Sequence, residues 1–248
     1  MHQFFVENDQ IGKEYITING EDVKHIGNVL RMKPGEEIRI SDGEGRDFFC
    51  EIEEVTSEKV LAKILGKPAE HTELPNRIFL FQAIPKGERM EYVIQKAVEL
   101  GVYEIIPVEM KYCVVKLDEK KKAKRRERWQ AIAKSAAKQA KRSRIPQIHP
   151  VMSYSDAVEY AGNCEICLVP YENERGMAAT REALDKLEPG RDISVMIGPE
   201  GGFAKEEIKM VRQDMDVISL GRRILRTDTA AITVMSMLML ELEMKEYR

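Results

Sequence analysis

The sequence predicts an α/β protein in two parts: a β-rich unit over residues 1–66 and, after a linker over 67–76, a mostly parallel α/β domain over 77–248. Three observations carry this. Short strand-like runs separated by turn residues fill the first part. After residue 76, compact apolar runs alternate with stretches of helical periodicity. Three of those later runs break into loops of glycine, proline and charged residues.

In the first part, "QFFVE" and "YITI" are short strands, followed by a helix from Glu21 to Arg31. "EEIRISDGEGRDFFCEIEEV" gives two strands around an Asp-Gly-Glu-Gly turn, and "KVLAKIL" gives another. "GKPAEHTELPN" has no periodic pattern and holds two prolines, as a linker does. The second part opens with the strand "RIFLFQAI", the amphipathic helix "ERMEYVIQKAVELG" with its glycine stop, and the strand "VYEIIPV". A basic helix runs from about Asp118 to Arg142, with Trp129, Ile132, Ala133, Ala136, Ala137 and Ala140 as its apolar stripe. "CEICLVP", "ISVMIG" and "VISLG" are further strands, each leading towards a helix. "AAITVMSMLMLEL" is too short to span a bilayer and reads as a buried or subunit-facing helix.

Composition bounds the function classes. With 43% hydrophobic and 33% charged residues the chain is globular rather than disordered. No N-terminal stretch has the order of a signal peptide, and four scattered cysteines do not make a disulfide framework. Cys164 and Cys167 have C-x-x-C spacing without a second pair or a histidine cluster, so they are expected to be core thiols and no metal is expected. A cytoplasmic location follows as the expectation. The net charge of −3 is unevenly spread. Residues 116–144 hold thirteen basic and three acidic side chains, an excess of ten positive charges, which leaves −13 on the rest. A concentrated basic segment on an acidic protein suggests a polyanionic partner.

In open α/β sheets, ligands bind beyond the carboxyl ends of the strands. Three such ends stand out: "LVPYEN" (168–173), "IGPEGGF" (197–203) and "LGRRILRTDTA" (220–230). Gly198 precedes a proline and is therefore extended. Gly201 and Gly202 can adopt positive φ and let a ligand approach the backbone. A tight strand-to-helix turn with no ligand is the plainer alternative. The loop lacks Gly-Lys-Ser/Thr and no G-x-G-x-x-G occurs, so neither a P-loop nor a dinucleotide fingerprint is present. Glu200 among the glycines suits an adenosine-like or cationic ligand better than a phosphate.

"IGPEGGF" followed by "LGRRILRTDTA" resembles the RsmE family of SPOUT methyltransferases. "VKHIGNVLRMKPGEEIRISDGEG" is similar to that family's PUA-like RNA-binding β-barrel, and "PKGERMEYVIQKAVELGVYEIIPV" and "KQAKRSRIPQI" to its catalytic domain. The resemblance implies S-adenosylmethionine (SAM)-dependent methylation of uridine N3 in 16S ribosomal RNA, an α/β domain threaded into a trefoil knot, and a homodimer. It places SAM on Leu168, Val169, Ile197, Gly198, Gly201, Gly202, Leu220, Gly221, Ile224 and Leu225. Departures are His2 and Gln3, where an arginine is usual, Ala140, where Ser or Cys is frequent, and Asp228 in place of Glu.

N3 of uracil is protonated at neutral pH, so the site must remove that proton or stabilise the anion. Arg226 is the candidate for stabilisation, against a purely structural ion pair with Asp228 or Glu200. Glu200 can orient a ligand amine or accept the proton, against capping a helix near Ala204. His2, His25, His71 and His149 lie outside the three loops, so no general base is evident. Lys134, Lys138 and Lys141 at helical spacing, with Arg142, Lys86 and Arg31, are candidate RNA contacts. Arg39 and Arg46 can add to them, and a merely solvated face is the alternative. A SPOUT enzyme acting on another base or on ribose, or a non-catalytic RNA-binding factor, are the competing functions.

Overall fold

The computed structural model describes residues 1–67, 72–211 and 213–246; part of the expected linker, including His71, lies outside them. Two compact units result: Met1–Glu73 with Ala137–Ile145, and Leu74–Ala136 with Pro146–Arg248.

The first unit is a curled five-stranded sheet of β1 (His2–Phe5), β2 (Tyr15–Asn19), β3 (Glu37–Ser41), β4 (Asp47–Val55) and β5 (Lys59–Gly66). The order is β1-β3-β4-β5-β2. β1 runs parallel to β3, and the other pairs are antiparallel. Alternation sends Ile16, Ile18, Ile38, Ile40, Cys50, Ile52, Val60 and Ala62 to one face, where they meet Phe4 and Ile26 in a single core. Register shifts in β4, between Phe49 and Cys50 and between Ile52 and Glu54, supply the bend that curling needs. The helix expected from Glu21 forms as α1 (Glu21–Lys24) and a wider turn over His25–Leu30, ended by Arg31 at φ 54°. In the Asp-Gly-Glu-Gly turn, Asp42 accepts from the backbone N–H groups of Glu44 (2.8 Å) and Arg46 (2.9 Å).

The second unit is a parallel sheet ordered β12-β10-β11-β6-β7-β8. Its strands are β6 (Ile78–Ala83), β7 (Glu104–Glu109), β8 (Gln147–Ile148), β9 (Met152–Ser153, beside β7), β10 (Ile166–Pro170), β11 (Ile193–Ile197) and β12 (Asp216–Ile218). Every residue of β6, β10 and β11 is buried, which explains why they are apolar but for Gln82 and Ser194. The helices are α2 (Arg89–Glu99), α3 (Glu119–Gln139), α4 (Tyr154–Ala161), α5 (Ala178–Asp185), α6 (Lys205–Val211) and α7 (Thr227–Glu246). Cys164 precedes β10 rather than lying in it, and the Cys167 thiol donates to the carbonyls of Ala161 and Cys164. Burial pushes the Cys164 thiol up to about 12.

The basic helix α3 stops three residues short of its expected end. Lys141 sits at φ 56°, its N–H donates to Lys138 O (3.3 Å), and Arg142 N–H donates to Ala137 O (2.9 Å). This is the six-to-one and five-to-two bonding of a Schellman stop, with lysine in the left-handed position. Lys141 therefore does not continue the helical face of Lys134 and Lys138.

At the amino end of the second sheet, Glu104 accepts from His149 Nε2 (2.6 Å) and the Tyr160 hydroxyl (2.9 Å). Burial works to raise the Glu104 carboxyl, but these hydrogen bonds outweigh it and hold it below the ordinary glutamate range. A carboxyl lowered in the folded state adds stability above its unfolded pKa, and that stability is lost as pH falls through the folded value. The urea midpoint should therefore drop as pH goes from about 5 to about 3, and Glu104→Gln should flatten that drop. An unchanged pH dependence in the variant would remove Glu104 from the acid response.

Candidate active site

β12, β10 and β11 are sheet neighbours, so the loops after their carboxyl ends converge although they are far apart in sequence. They enclose a cavity of about 590 Å³, within the usual range for a small-molecule site. Its walls come from Pro170–Glu172 and Arg175, from Ile197–Phe203, and from Ser219–Thr227, with Arg89 and Ala230 completing them. Among the expected cofactor residues, Ile197, Gly198, Gly201, Gly202, Leu220, Gly221, Ile224 and Leu225 line this cavity. Leu168 and Val169 do not: they are buried inside β10, and the lining begins at Pro170.

The glycines serve the loop's own packing. A Cβ on Gly198 would lie 2.8 Å from the buried Phe203 ring, and one on Gly201 would lie 2.9 Å from Tyr112 Cβ. Gly202 has φ 72° and its N–H closes a turn on Pro199 O (2.9 Å), whereas Gly201 is not at positive φ. Gly221 needs its conformation, φ 111°, with open space where a Cβ would stand. Thr180 of α5 holds the next loop, donating its hydroxyl to Ser219 O (2.7 Å).

Glu200 is fixed from the other side of the cavity. Its Oε1 accepts from Lys86 N–H (2.9 Å) and from Arg89 Nη1 (2.9 Å). Glu207, not Glu200, caps α6: this buried carboxylate accepts from Ala204 N–H (2.7 Å) and from Lys111 N–H (2.8 Å). A glutamate three residues beyond Ala204 is the sequence signal that identifies that cap. Arg226 is exposed at the cavity wall and forms no ion pair with Asp228 or Glu200. Five arginines (Arg89, Arg175, Arg222, Arg223, Arg226) and two glutamates (Glu172, Glu200) line the cavity, giving it a positive field. Arg175 follows the first loop closely in sequence, whereas Arg89 carries no sequence signal that links it to these loops.

The candidate RNA contacts separate. Arg31, Lys86, Lys134 and Lys141 are exposed. Lys138 pairs with Asp22 (2.8 Å) and lies 4.5 Å from the centre of the Phe4 ring. Arg142 is 2% exposed and bound to Glu73, so it is a folding residue rather than a surface contact. Gln3 is buried too, its amide donating to Ser41 Oγ (3.1 Å) and Arg142 O (2.6 Å). Arg39 pairs with Asp47, and Arg46 with Asp42 (2.6 Å).

An RNA methyltransferase domain model matches residues 72–239, and an RNA methyltransferase PUA domain model matches residues 18–65. The ribosomal RNA small subunit methyltransferase E of Bacillus subtilis (strain 168) is 35% identical, covering 98% of each chain. The chain belongs to the ribosomal RNA small subunit methyltransferase E family. The Neisseria gonorrhoeae member, solved bound to S-adenosyl methionine, superposes with TM-score 0.81 at 30% identity over 97% of both chains. A putative methyltransferase from Legionella pneumophila, solved with the cofactor SAM, gives 0.79 at 34% identity over 96% of both. The fold is thus the family's, a PUA-like sheet with a SPOUT α/β domain. Among the described residues, no helix is long and apolar enough to cross a membrane, and no cluster of His, Cys, Asp or Glu is arranged to hold a metal.

Proposed function

We propose that this chain is a SAM-dependent methyltransferase that methylates N3 of a uridine in 16S ribosomal RNA. The observation that carries the reading is the three-loop cavity with Arg226 at its wall, unpaired with any acid among the described residues. The cavity fits the cofactor: its volume suits a ligand of that size, and its walls offer backbone groups beside Ile197, Leu220 and Leu225. SAM, when bound, supplies a methyl group on an electrophilic sulfonium. Ile197, Gly198, Gly201, Gly202, Leu220, Gly221, Ile224 and Leu225 would hold it. The Arg226 guanidinium would stabilise negative charge on the uracil ring as the N3 proton leaves. Glu200, with Oε1 held by Lys86 and Arg89, would orient a ligand amine or accept that proton through its other oxygen. Uridine and N3 rest on the family resemblance.

Mass spectrometry of 16S ribosomal RNA from a deletion strain should show one N3-methyluridine lost and restored by this gene. Loss of a different base modification, or none, would overturn the reading. Calorimetry should show SAM binding in the presence of EDTA, and a requirement for a divalent ion would contradict the metal-free site.

RNA contacts are assigned to the exposed Lys86 and Lys134 of the second unit and to Arg31 and Lys141 of the first, with Lys138 supporting α3. Changing Lys86 and Lys134 to Gln should reduce the log–log salt slope of RNA binding by about 0.7–0.9 per lost phosphate contact. SAM affinity should hold, because Lys86 meets Glu200 through its backbone. An unchanged slope would leave those lysines as solvated surface.

The active unit is proposed to be a homodimer. α2 and α7 pack on each other and leave Tyr92, Leu240 and Met244 about half exposed. Sedimentation should give about twice 28.4 kDa, and an active monomer would exclude a shared site.

A further inference from the structure

Gln82 is a fully buried amide in β6, one residue before that strand ends. Its Nε2 donates to Ala83 O (3.0 Å) and to Thr227 Oγ1 (3.0 Å), while its Oε1 is buried without a partner among the described residues. An apolar side chain would fill this core position without stranding an acceptor. What the amide contributes is therefore its donor side. That orientation is forced, because the Ala83 carbonyl can only accept and so must face nitrogen. The Thr227 hydroxyl accepts from the amide and has one proton left to give. It gives it to Gly198 O at 2.7 Å.

The last two links of this chain of hydrogen bonds reach the cavity, while Gln82 supports them from the core behind it. Gly198 and Thr227 line it, and Thr227 directly follows Arg226. Arg226 O accepts the Ala230 N–H (2.8 Å), so the arginine backbone is already part of the α7 start that Thr227 pins. A single hydroxyl, polarised by Gln82, ties the glycine loop to the base of the arginine.

We infer that Gln82 and Thr227 are positioning residues for the methyl transfer, fixing the Gly198 carbonyl and the Arg226 backbone in one register. The inference rests on the proposed role of these two loops. Its test uses the full-length protein, with SAM affinity by calorimetry and single-turnover methylation of small-subunit RNA at saturating SAM. Thr227→Val keeps the shape and removes the hydroxyl. It should weaken SAM binding and slow the methylation step about tenfold or more each, with RNA affinity unchanged. Thr227→Ser keeps both hydrogen bonds and should stay within about threefold of wild type, while Gln82→Leu should move in the direction of Thr227→Val.

A folded Thr227→Val protein with wild-type affinity and rate would overturn the inference. So would a Ser variant as impaired as the Val variant, since methyl packing would then be the cause. If the Val variant does not fold, Thr227→Ala against Thr227→Ser makes the same comparison. Failure of the wild-type protein to methylate would count against the proposed function instead, and SAM affinity would still decide the role of the hydroxyl.

Discussion

Arg226→Ala should lower the single-turnover rate of methyl transfer about 100-fold, the scale of losing one preorganised donor where charge develops. The residue lies in the third loop, lines the cavity, and spends no charge on an ion pair among the described residues. Glu200, which with Asp228 is the partner the sequence reading offers, is taken by Arg89 instead. The loss should appear in the chemical step. RNA affinity should change little, because phosphate attraction is spread over many cations. SAM affinity should hold within about threefold, because on the proposed reading the surrounding loops hold SAM mainly through backbone groups. Arg226→Lys should recover only part of the rate, since an ammonium keeps the charge and loses the planar fork. A folded Arg226→Ala protein with a normal single-turnover rate would make Arg226 a bystander at the cavity wall.

What the sequence discloses and what it conceals divide along physical lines. β6, β10 and β11 are buried on both faces, so their apolar runs mark them without any partner in view. The alternation in β2 to β5 is equally legible, because one face of that sheet meets a core. That β10 lies between β11 and β12 is a matter of tertiary order, which local periodicity cannot encode. Arg142 shows the limit of reading a charge run: its fate is set by Glu73, sixty-nine residues away in sequence. Lys141 shows another, since a lysine at the left-handed stop of α3 lacks the usual glycine signal. The glycine loop was legible as a site and misleading in its reason. Positive φ is used at Gly202, but the small size of Gly198 and Gly201 makes room for Phe203 and Tyr112 rather than for a ligand. Gln82 gives no signal, because a polar residue in an apolar run is a defect until its partner is seen, and Thr227 stands in the third loop with nothing in the sequence to name that partner.

The same geometry sets the second large effect. Gly198→Ala places a methyl group 2.8 Å from the Phe203 ring, which is 7% exposed and packs edge-on against Tyr171 at 6.3 Å. That ring belongs to the core of the second unit, so it cannot swing into solvent as a long side chain would. The backbone of Gly198 must give way instead, and Pro199 restricts how it can. Overpacking of this kind costs about 1–3 kcal/mol, so melting should move down by a few degrees while the fold survives. The functional loss should be larger than the stability loss. Displacing Gly198 pulls its carbonyl from Thr227 and shifts the wall of the cavity, and a misplacement of about 1 Å is worth about 100-fold in such a site. SAM affinity should fall by that order, whereas Gly190→Ala, at a positive-φ turn before β11 and away from the cavity, should lose stability alone. If Gly198→Ala folds and binds SAM as the wild type does, the loop after β11 does not form the cofactor wall.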